Sequence, residues 1–350
     1  MSDRRETTSS PVSELGEDAL VARIAQRIGA APAGETWAGD DAAAFPVDSG
    51  TLVSTTDLMV EGIDFDLAYC DGADVGWKLV ACNASDVAAM GAAPTRAVAT
   101  LMLPASTPIR LVDDFLDGLT EAASLWGIGL VGGDLSSGPV IAASVALLGR
   151  PFDLPTLRSG ARPGDAICVT GTFGGAAGGL IALRAGAVDR AAVAAEIRTP
   201  TGADGLAVLA VRQLRPRARL EEARLLSTFP PRAAIDVSDG LAIDLHRLLS
   251  SSGAGCEVDP AAVPVDPELR FLAEYVPGAP DPLELALAGG EDYELLVTLD
   301  PALVEAAQVM LDETGVGLTR IGEVTDGPCR IGDEPLERWS EVGWDHLRTP

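Results

Sequence analysis

Basic residues are scarce in this 350-residue sequence. Lysine and arginine together number 25 against 52 aspartate and glutamate residues, which gives a formal net charge of −27. Nucleic acids and anionic membranes attract proteins through clusters of positive charge, so the charge balance argues against both as partners. It also argues against a basic pocket for phosphate groups, since an acidic surface repels polyanions unless bound metal ions invert the local field.

Histidine and paired cysteine motifs are also nearly absent. The two histidines, His246 and His346, are too few for a histidine-based catalytic triad or a typical zinc centre. The five cysteines are odd in number and widely spaced, with no C-x-x-C pair. This favours reduced thiols over a disulfide framework, and we therefore expect a cytoplasmic protein.

The sequence has no long uninterrupted apolar run. Residues 1–11 are polar and lack the apolar core of a signal peptide. The longest uncharged run, Ala166–Leu183, contains five glycines, so it predicts a strand, a turn and the start of a helix, not a membrane span. Aromatic residues make up only 4% of the chain, and we expect a core of small side chains with close contacts between helices and sheets.

Strand and helix patterns alternate on both sides of a proline-containing segment, Pro151–Pro163. This alternation predicts an α/β (α+β) fold with two domains, residues 1–150 and 151–350. In the first domain, the pattern predicts a short strand over residues 51–55 that ends before Asp57, and a helix over residues 73–90.

Five short motifs place acidic residues at predicted ends of strands and helices or at glycine turns. They are GDDAA at residues 39–43, TTDLMVEG at 55–62, NASDVAAMGA at 83–92, GGD at 132–134 and DVSDGL at 236–241. A carboxylate beside apolar residues is costly unless a cation meets it. Hard oxygen ligands without histidine or thiolate suit magnesium, usually alongside substrate phosphates. The set therefore predicts one Mg-ATP site built from carboxylates.

Each motif taken alone also has an ordinary explanation. Asp86 lies with Asn83 near the C-terminal end of a predicted helix, where the helix dipole disfavours an anion, so a ligand role is preferred to a solvated surface position. Ser238 or Asp239 could act as a helix N-cap, which leaves Asp236 unexplained. The GGD motif alone is consistent with a plain turn between two strands.

The glycine-rich residues 171–175 invite comparison with a phosphate-binding loop. They lack the Gly-Lys-Ser/Thr of a P-loop, and close packing of a helix on a sheet is the favoured interpretation. Lys78, two turns before Asp86, is left open between a phosphate contact and an ion pair with an acid.

The order of the motifs resembles the thiamine-monophosphate kinase family. In chain order they are GDDAA, TDLMVEG, NASDVAAMGAAP, GGD, RSGARPGD, DVSDGL and GGEDYEL, spanning residues 39–295. The earlier motifs are similar across the superfamily of aminoimidazole ribonucleotide synthetase, selenophosphate synthetase and a hydrogenase maturation protein. The GGEDYEL segment and the C-terminal GWDH at residues 343–346 are similar to the kinase in particular.

The resemblance implies a PurM-like fold and roles for individual residues. The N-terminal domain would bind metal and ATP and pair its sheet with that of a second copy in a homodimer. The C-terminal domain would complete the ATP and substrate site. The implied ligands of several magnesium ions are Asp41, Thr55, Thr56, Asp57, Asp86, Asp134, Asp236 and Asp239. The implied ATP contacts are Gly133, Asp134, Arg158, Ser238 and Leu116, and the implied substrate contacts are Asp64, Glu291 and Trp344.

Two of these positions depart from the family pattern. Asp64 stands where similar kinases usually carry histidine, so it contacts the substrate's aminopyrimidine, binds magnesium or has left the site; the aminopyrimidine contact is favoured. Leu116 lies near a position where an aromatic residue usually meets the nucleotide base, and Phe115 is adjacent. Trp344 either stacks on a ring of thiamine or anchors the C-terminus.

The expected activity is ATP-dependent phosphorylation of thiamine monophosphate to thiamine diphosphate. A phosphate monoester has a second pKa of about 6, so the acceptor is already a nucleophile at neutral pH and no general base is expected. The reaction needs in-line positioning and charge neutralisation. The alternatives are another ATP-using enzyme of the same superfamily and a non-catalytic protein that binds nucleotide or thiamine phosphate.

Overall fold

The computed structural model describes residues 11, 17–30, 32, 47 and 50–340. Contacts between residues divide the chain into two compact units. The described residues within Met1–Val87, together with Pro94–Arg150, form the unit that we call the N-unit. Ala88–Ala93 and the described residues from Pro151 onward form the C-unit.

The N-unit combines helices with a four-stranded sheet. Its elements are α1 Glu17–Ile28, β1 Val53–Val60, α2 Gly72–Ala89, β2 Ala92–Leu103, α3 Ile109–Leu125, β3 Gly129–Ser137 and β4 Ala142–Pro151. The strand order is β1-β4-β2-β3. Strand β1 runs antiparallel to β4, whereas β2 and β3 are parallel. Strands β1 and β3 therefore lie at opposite edges of the sheet.

Two glycines let α2 and α3 approach until their backbones touch. A Cβ added at Gly118 would lie 1.9 Å from the carbonyl oxygen of Ala73, and one at Gly76 would lie 2.1 Å from that of Phe115. Any side chain at either position would push the helices apart. Close contact of this kind allows a chain with few aromatic residues to fill its core.

The C-unit contains a larger mixed sheet covered by helices. Its elements are β5 Ala166–Thr170, α4 Gly175–Arg184, α5 Arg190–Arg198, α6 Gly205–Leu214, α7 Leu220–Leu226, β6 Ala233–Val237, α8 Leu241–Ser252, β7 Gly255–Val258, α9 Leu269–Tyr275, α10 Pro282–Ala288, β8 Glu294–Leu299, α11 Val304–Asp312, β9 Leu318–Thr325, β10 Arg330–Ile331, β11 Glu334–Pro335 and α12 Glu337–Ser340. The seven strands are ordered β11-β10-β7-β9-β5-β8-β6.

The central strands of this sheet are buried on both faces. Ile167 and Val169 of β5 belong to an apolar cluster with Leu245 of α8. The alternate residue Cys168 belongs to a second cluster with Leu311 of α11. Successive residues of a strand point to opposite faces, so helices cover both sides and the strand reads as one continuous apolar run.

The structure confirms the predicted α/β (α+β) class and corrects two local predictions. The strand predicted over residues 51–55 is too short, because every residue from Val53 to Val60 pairs with β4. The turn expected at residues 132–134 is wrong, because these residues pair with Val98–Thr100 inside a strand. None of the described helices has the length and apolar character needed to cross a bilayer.

Candidate active site

Asp57 of β1 and Asp86 of α2 lie close together in the N-unit, and we call them the acidic pair. The hydroxyl of Thr55 donates a hydrogen bond to the carboxylate of Asp86. Asp57 is two residues further along β1 and therefore on the same face as Thr55. Burial, together with the charges of Asp86 and Asp64, raises the pKa of Asp57 to about 7. The structure thus brings three of the predicted site residues, Thr55, Asp57 and Asp86, into one place.

Two buried oxygens on β1 and α2 have no hydrogen-bond partner among the described residues. Oδ2 of Asp57 is buried and has no hydrogen-bond partner among the described residues. Asn83 lies one turn before Asp86 on α2; its amide nitrogen donates to Leu79 O at 2.8 Å, but its Oδ1 is also buried without a partner in the described part of the chain. Such oxygens are costly unless a donor or cation meets them.

The donor set fits a magnesium ion. Carboxylate, amide and hydroxyl oxygens are hard ligands, and an ion between acids that repel each other would lower the cost of their burial. Within residues 50–340 and the other described positions, no group of three or more histidine, cysteine, aspartate and glutamate side chains is arranged to hold a metal ion. Asp41, the further predicted ligand in this unit, lies outside the described residues.

Thr56 and Asp134 are placed away from the acidic pair. Thr56 follows Thr55 and so points to the opposite face, where its hydroxyl lies 3.2 Å from Ser144 Oγ. Asp134 is exposed on β3, at the other edge of the sheet. Strands β1 and β3 are roughly 14 Å apart at about 4.8 Å per strand. The structure of the N-unit therefore does not bring Asp134 or Thr56 to Asp57.

Gly133 has a structural requirement of its own. A Cβ at this position would lie 1.9 Å from the carbonyl oxygen of Ala99 on the neighbouring strand. Glycine is thus needed for the pairing of β2 and β3, whether or not this backbone meets a phosphate. The predicted contact between Leu116 and adenine has less support, because Leu116 is 3% exposed in the core on α3 and the adjacent Phe115 is buried as well.

Asp64 closes the turn that follows β1. Its Oδ2 accepts a hydrogen bond from the backbone nitrogen of Val60 at 2.8 Å, and its own nitrogen donates to Val60 O at 3.0 Å. One carboxylate oxygen is thus engaged within the turn. Asp64 is nevertheless close enough to Asp57 to raise the pKa of that group, so it stays beside the acidic pair.

In the C-unit, Asp236 lies in β6, and a tight turn between β6 and α8 carries Ser238 and Asp239. Neither Ser238 nor Asp239 caps the helix, because Gly240 occupies the cap position with φ of 131°. Instead, the backbone nitrogens of both residues donate to Oδ2 of Asp244, each at 3.0 Å. Burial raises the pKa of Asp244. The turn is therefore held from inside the helix that follows it.

Arg247 connects the side chains of this turn. Its Nη1 lies 2.5 Å from Asp239 Oδ2 and 2.7 Å from Asp244 Oδ1. Asp239, a predicted metal ligand, thus already has a cationic partner on one oxygen. Asp236 is 4% exposed at the end of β6, where it pairs with Leu295 of the adjacent strand.

The three acids of the GGEDYEL segment, residues 289–295, each accept hydrogen bonds from other parts of the C-unit. Glu291 Oε2 accepts a hydrogen bond from Gln213 Nε2 at 2.6 Å. Asp292 accepts bonds from the backbone nitrogens of Gly174 and Ala176, at 2.8 and 3.2 Å. Glu294 is buried and forms a two-pronged ion pair with Arg219, and it also accepts a bond from Thr170 Oγ1 at 2.7 Å. The residues Gln213, Arg219, Asp244 and Arg247 were not identified from the sequence, because their partners are distant in the chain or ordinary in type.

The glycine-rich segment opens α4, but the end of this helix is already occupied. Backbone amides at a helix N-terminus can bind a phosphate. Here those of Gly174 and Ala176 donate hydrogen bonds to Asp292 instead. A Cβ at Gly179 would lie 2.0 Å from Leu209 O on α6. The favoured packing role of this segment is therefore supported by a close contact between two helices.

Glu291 has an unusual backbone. Its φ is 69°, in the left-handed region that few side chains adopt. Its nitrogen donates to Ser238 O at 2.7 Å, and a Cβ at the preceding Gly290 would lie 2.5 Å from the same oxygen. Strained residues of this kind persist where the surroundings fix them. Here these contacts hold Glu291 beside the turn that carries Ser238 and Asp239.

Family models match most of the chain. Residues 39–150 match the AIR synthase related protein, N-terminal domain, and residues 162–332 match the AIR synthase related protein, C-terminal domain. A thiamine-monophosphate kinase of Escherichia coli strain K12 is 36% identical over 341 residues, which covers 96% of this chain and 99% of the relative. The chain belongs to the thiamine-monophosphate kinase family.

Solved structures agree with this family assignment. The thiamine-monophosphate kinase of Stenotrophomonas maltophilia K279a superposes with a TM-score of 0.78 at 34% identity, covering 90% of this chain and 96% of that one. The structure described as AaThiL complexed with AMPPCP and TMP superposes with a TM-score of 0.73 at 30% identity, covering 95% and 98%. The two-domain PurM-like fold expected of the kinase family is thereby confirmed.

Two further residues implied by the kinase resemblance are Arg158 and Trp344. Arg158 is exposed in the loop before β5, where its carbonyl oxygen accepts a bond from Ser252 Oγ at 3.2 Å. Two residues further on, Gly160 has φ of 127° and its backbone approaches Arg232 O. Trp344, like Asp41, lies outside the described residues.

Proposed function

We propose that this protein transfers the terminal phosphoryl group of ATP to thiamine monophosphate, producing thiamine diphosphate and ADP. The family match over nearly the whole chain supports this activity, as does the superposition on a relative described with an ATP analogue and TMP. In the structure itself, the observation that carries the proposal is the buried, unpartnered Oδ2 of Asp57 beside Asp86 and Thr55.

The residues of the N-unit would hold magnesium through oxygen alone. We assign Thr55, Asp57 and Asp86 to this role, with Asp41 as a further ligand, and in the C-unit Asp236 and Asp239. Bound magnesium would supply neutralisation of the charge on the phosphates. The scarcity of histidine agrees with this chemistry, because an ionised phosphate acceptor needs no general base.

Other residues are assigned to the two substrates. The backbone at Gly133 and the side chains of Asp134, Arg158 and Ser238 are proposed ATP contacts, and Arg158 offers a planar cation for phosphate oxygens. Glu291 and Trp344 are proposed contacts of thiamine monophosphate. Asp64 is proposed to accept a hydrogen bond from the aminopyrimidine.

We further propose a homodimer in which the sheets of two N-units pair. The face of the sheet that carries Thr56 exposes two apolar side chains, Leu58 at 61% and Val98 at 41%. Exposed apolar groups on one sheet face favour an interaction surface. A Leu58→Asp variant should lower the molar mass measured by light scattering to that of one chain, and an unchanged mass would exclude this face. A cytoplasmic location is proposed as well, since all five cysteines are free thiols.

The activity is tested by a coupled assay for ADP with Mg-ATP and thiamine monophosphate, and by direct detection of thiamine diphosphate. ADP formation should require the acceptor and should stop in excess chelator. The same assay with aminoimidazole precursors or selenide separates the kinase from its superfamily relatives. Binding of thiamine monophosphate without any ADP release would identify a non-catalytic binder and reject the proposed activity.

A further inference from the structure

A buried glutamine in the C-unit reaches the proposed substrate residue Glu291. Gln213, near the C-terminal end of α6, is 3% exposed. Its Nε2 donates to Glu291 Oε2 at 2.6 Å. A carboxylate only accepts hydrogen bonds, so the amide must present its NH₂ group to Glu291. The other end of the amide, Oε1, is buried and has no hydrogen-bond partner among the described residues.

Gln213 is costly if its only role is to stabilise the fold. A buried amide with one unsatisfied oxygen is less favourable than a fully bonded one. A leucine or methionine of similar size would fill the same space without this cost. The side chain therefore has a use that an apolar residue could not provide. In the described part of the chain, the apolar residue would lose the bond to Glu291.

Both partners of this bond are held on rigid backbone. Arg212, the neighbour of Gln213 on α6, pairs through Nε with the buried Asp266 at 2.6 Å. The same helix contacts α4 at Gly179 without room for a side chain. Glu291, on the other side, is held by the bond from its nitrogen to Ser238 O and by its left-handed backbone. The Gln213 side chain joins these two fixed points.

We propose that Gln213 is a positioning residue that orients the Glu291 carboxylate to receive thiamine monophosphate. Gln213 touches Glu291, not the substrate, and it acts by holding the Glu291 carboxylate in a fixed direction. Without the bond, Glu291 would sample other rotamers, and the substrate would lose a preorganised acceptor. This inference rests on the proposed function of the protein.

The test compares Gln213→Met with a matched control, Gln308→Met. Gln308 is a half-buried glutamine of the same unit whose Nε2 donates to Leu318 O at 3.0 Å. We expect Gln213→Met to raise the KM for thiamine monophosphate about ten-fold, the effect of losing one charge-assisted hydrogen bond. The KM for ATP should stay within about two-fold for both variants, and Gln308→Met should leave both constants near wild type.

A double-mutant cycle separates positioning from a general loss of stability. If Gln213 acts through Glu291, the variant carrying both Gln213→Met and Glu291→Gln should have the same KM for thiamine monophosphate as Glu291→Gln alone. Additive effects would overturn the inference. So would equal rises in both KM values, or a wild-type KM for thiamine monophosphate in Gln213→Met. An inactive wild-type protein would instead reject the proposed function on which the inference rests.

Discussion

Both units bury acidic side chains, but they compensate the negative charge differently. In the C-unit, Glu294 meets Arg219, and Asp292 meets two backbone amides. In the N-unit, Asp57 faces the charges of Asp86 and Asp64, and its Oδ2 has no described hydrogen-bond partner. In the first arrangement each acid has protein donors, whereas the second leaves one buried oxygen of Asp57 without a donor among the described residues.

This difference offers a physical way to sort acids that look alike in the sequence. A buried carboxylate with protein donors contributes to the fold, and its loss leaves those donors unpaired. A buried carboxylate that repels its neighbours lowers the stability of the empty protein and favours the binding of a cation. Substitution of the acid by its amide should therefore lower stability at Glu294 and raise it at Asp57.

The largest effect on stability is expected from Glu294→Gln in the C-unit. This change leaves the buried Arg219 guanidinium without its carboxylate, which should cost about 3–5 kcal/mol of unfolding free energy. Urea denaturation measures the loss. Glu323→Gln is the matched control, because Glu323 pairs with Arg320 on the surface, where both side chains are about half exposed, and it should cost less than about 1 kcal/mol. If both variants lose the same unfolding free energy, the buried ion pair of Glu294 contributes no more to stability than the surface pair of Glu323.

Asp57→Asn in the N-unit should act in the opposite direction on stability while abolishing most activity. In chelator, the melting temperature should rise, because the variant no longer buries a charge against Asp86 and Asp64. The stabilisation that magnesium gives to the wild type should be lost, and kcat should fall about 100-fold or more. Scanning fluorimetry with and without magnesium, together with the coupled assay, measures all three.

The control for Asp57→Asn is Asp66→Asn. Asp66 is exposed, and its Oδ1 accepts from Ala68 N at 2.8 Å, which an asparagine oxygen can also do. This variant should melt and turn over like the wild type. If Asp57→Asn lowers the melting temperature in chelator, or keeps wild-type turnover, Asp57 belongs with the structural acids of the C-unit.

Asp292 should make stability depend on pH. Burial raises its pKa from 3.8 to about 8, against the two amides that favour the ionised form. Between these values the folded state holds a proton that the unfolded state has released, so this contribution to stability is present at low pH and declines as pH rises towards 8. The difference in unfolding free energy between wild type and Asp292→Asn should therefore decline from pH 5 to pH 8. A constant difference would show that Asp292 is ionised throughout.

The smallest effect is expected at Asp64, which shares features with both groups of acids. Asp64→Ala should cost about 1 kcal/mol of stability, because Val60 N loses its acceptor. Asp64→Asn keeps an acceptor for that nitrogen and should leave stability almost unchanged. If Asp64 also accepts from the aminopyrimidine, both variants should raise the KM for thiamine monophosphate and leave the KM for ATP unchanged. If neither variant changes the KM for thiamine monophosphate, Asp64 stabilises the turn after β1 and does not contact the substrate.

The sequence predicted the family and the α/β class, and both are confirmed. It also predicted the helix that carries Asp86 to within one residue at each end, because eighteen consecutive residues contain no proline and end at glycine. The sequence did not predict four short elements, namely strand β7 and helices α5, α9 and α10. Their sequences are brief, and tertiary packing, not local pattern, selects their conformation.

The two wrong predictions, the short strand over residues 51–55 and the turn over residues 132–134, have the same cause. Residues 51–60 contain Asp57, and residues 129–137 contain three glycines and Asp134; glycine and aspartate are depleted in strands. Pairing with β4 and β2 overrides these local preferences. The glycine at position 133 is present because the neighbouring backbone leaves no room for a side chain, which no local pattern could reveal.

By itself, the sequence determined which residue types are available for chemistry: many acids, few cations and two histidines. That inventory was sufficient to predict oxygen ligands for magnesium and to argue against a histidine-based site. The prediction of phosphoryl transfer without a general base came from the resemblance to the kinase family. Tertiary structure alone decided which acids receive protein donors and which do not. Glu294 lies 75 residues from Arg219 in the chain, and such partners become visible only when folding brings distant segments together.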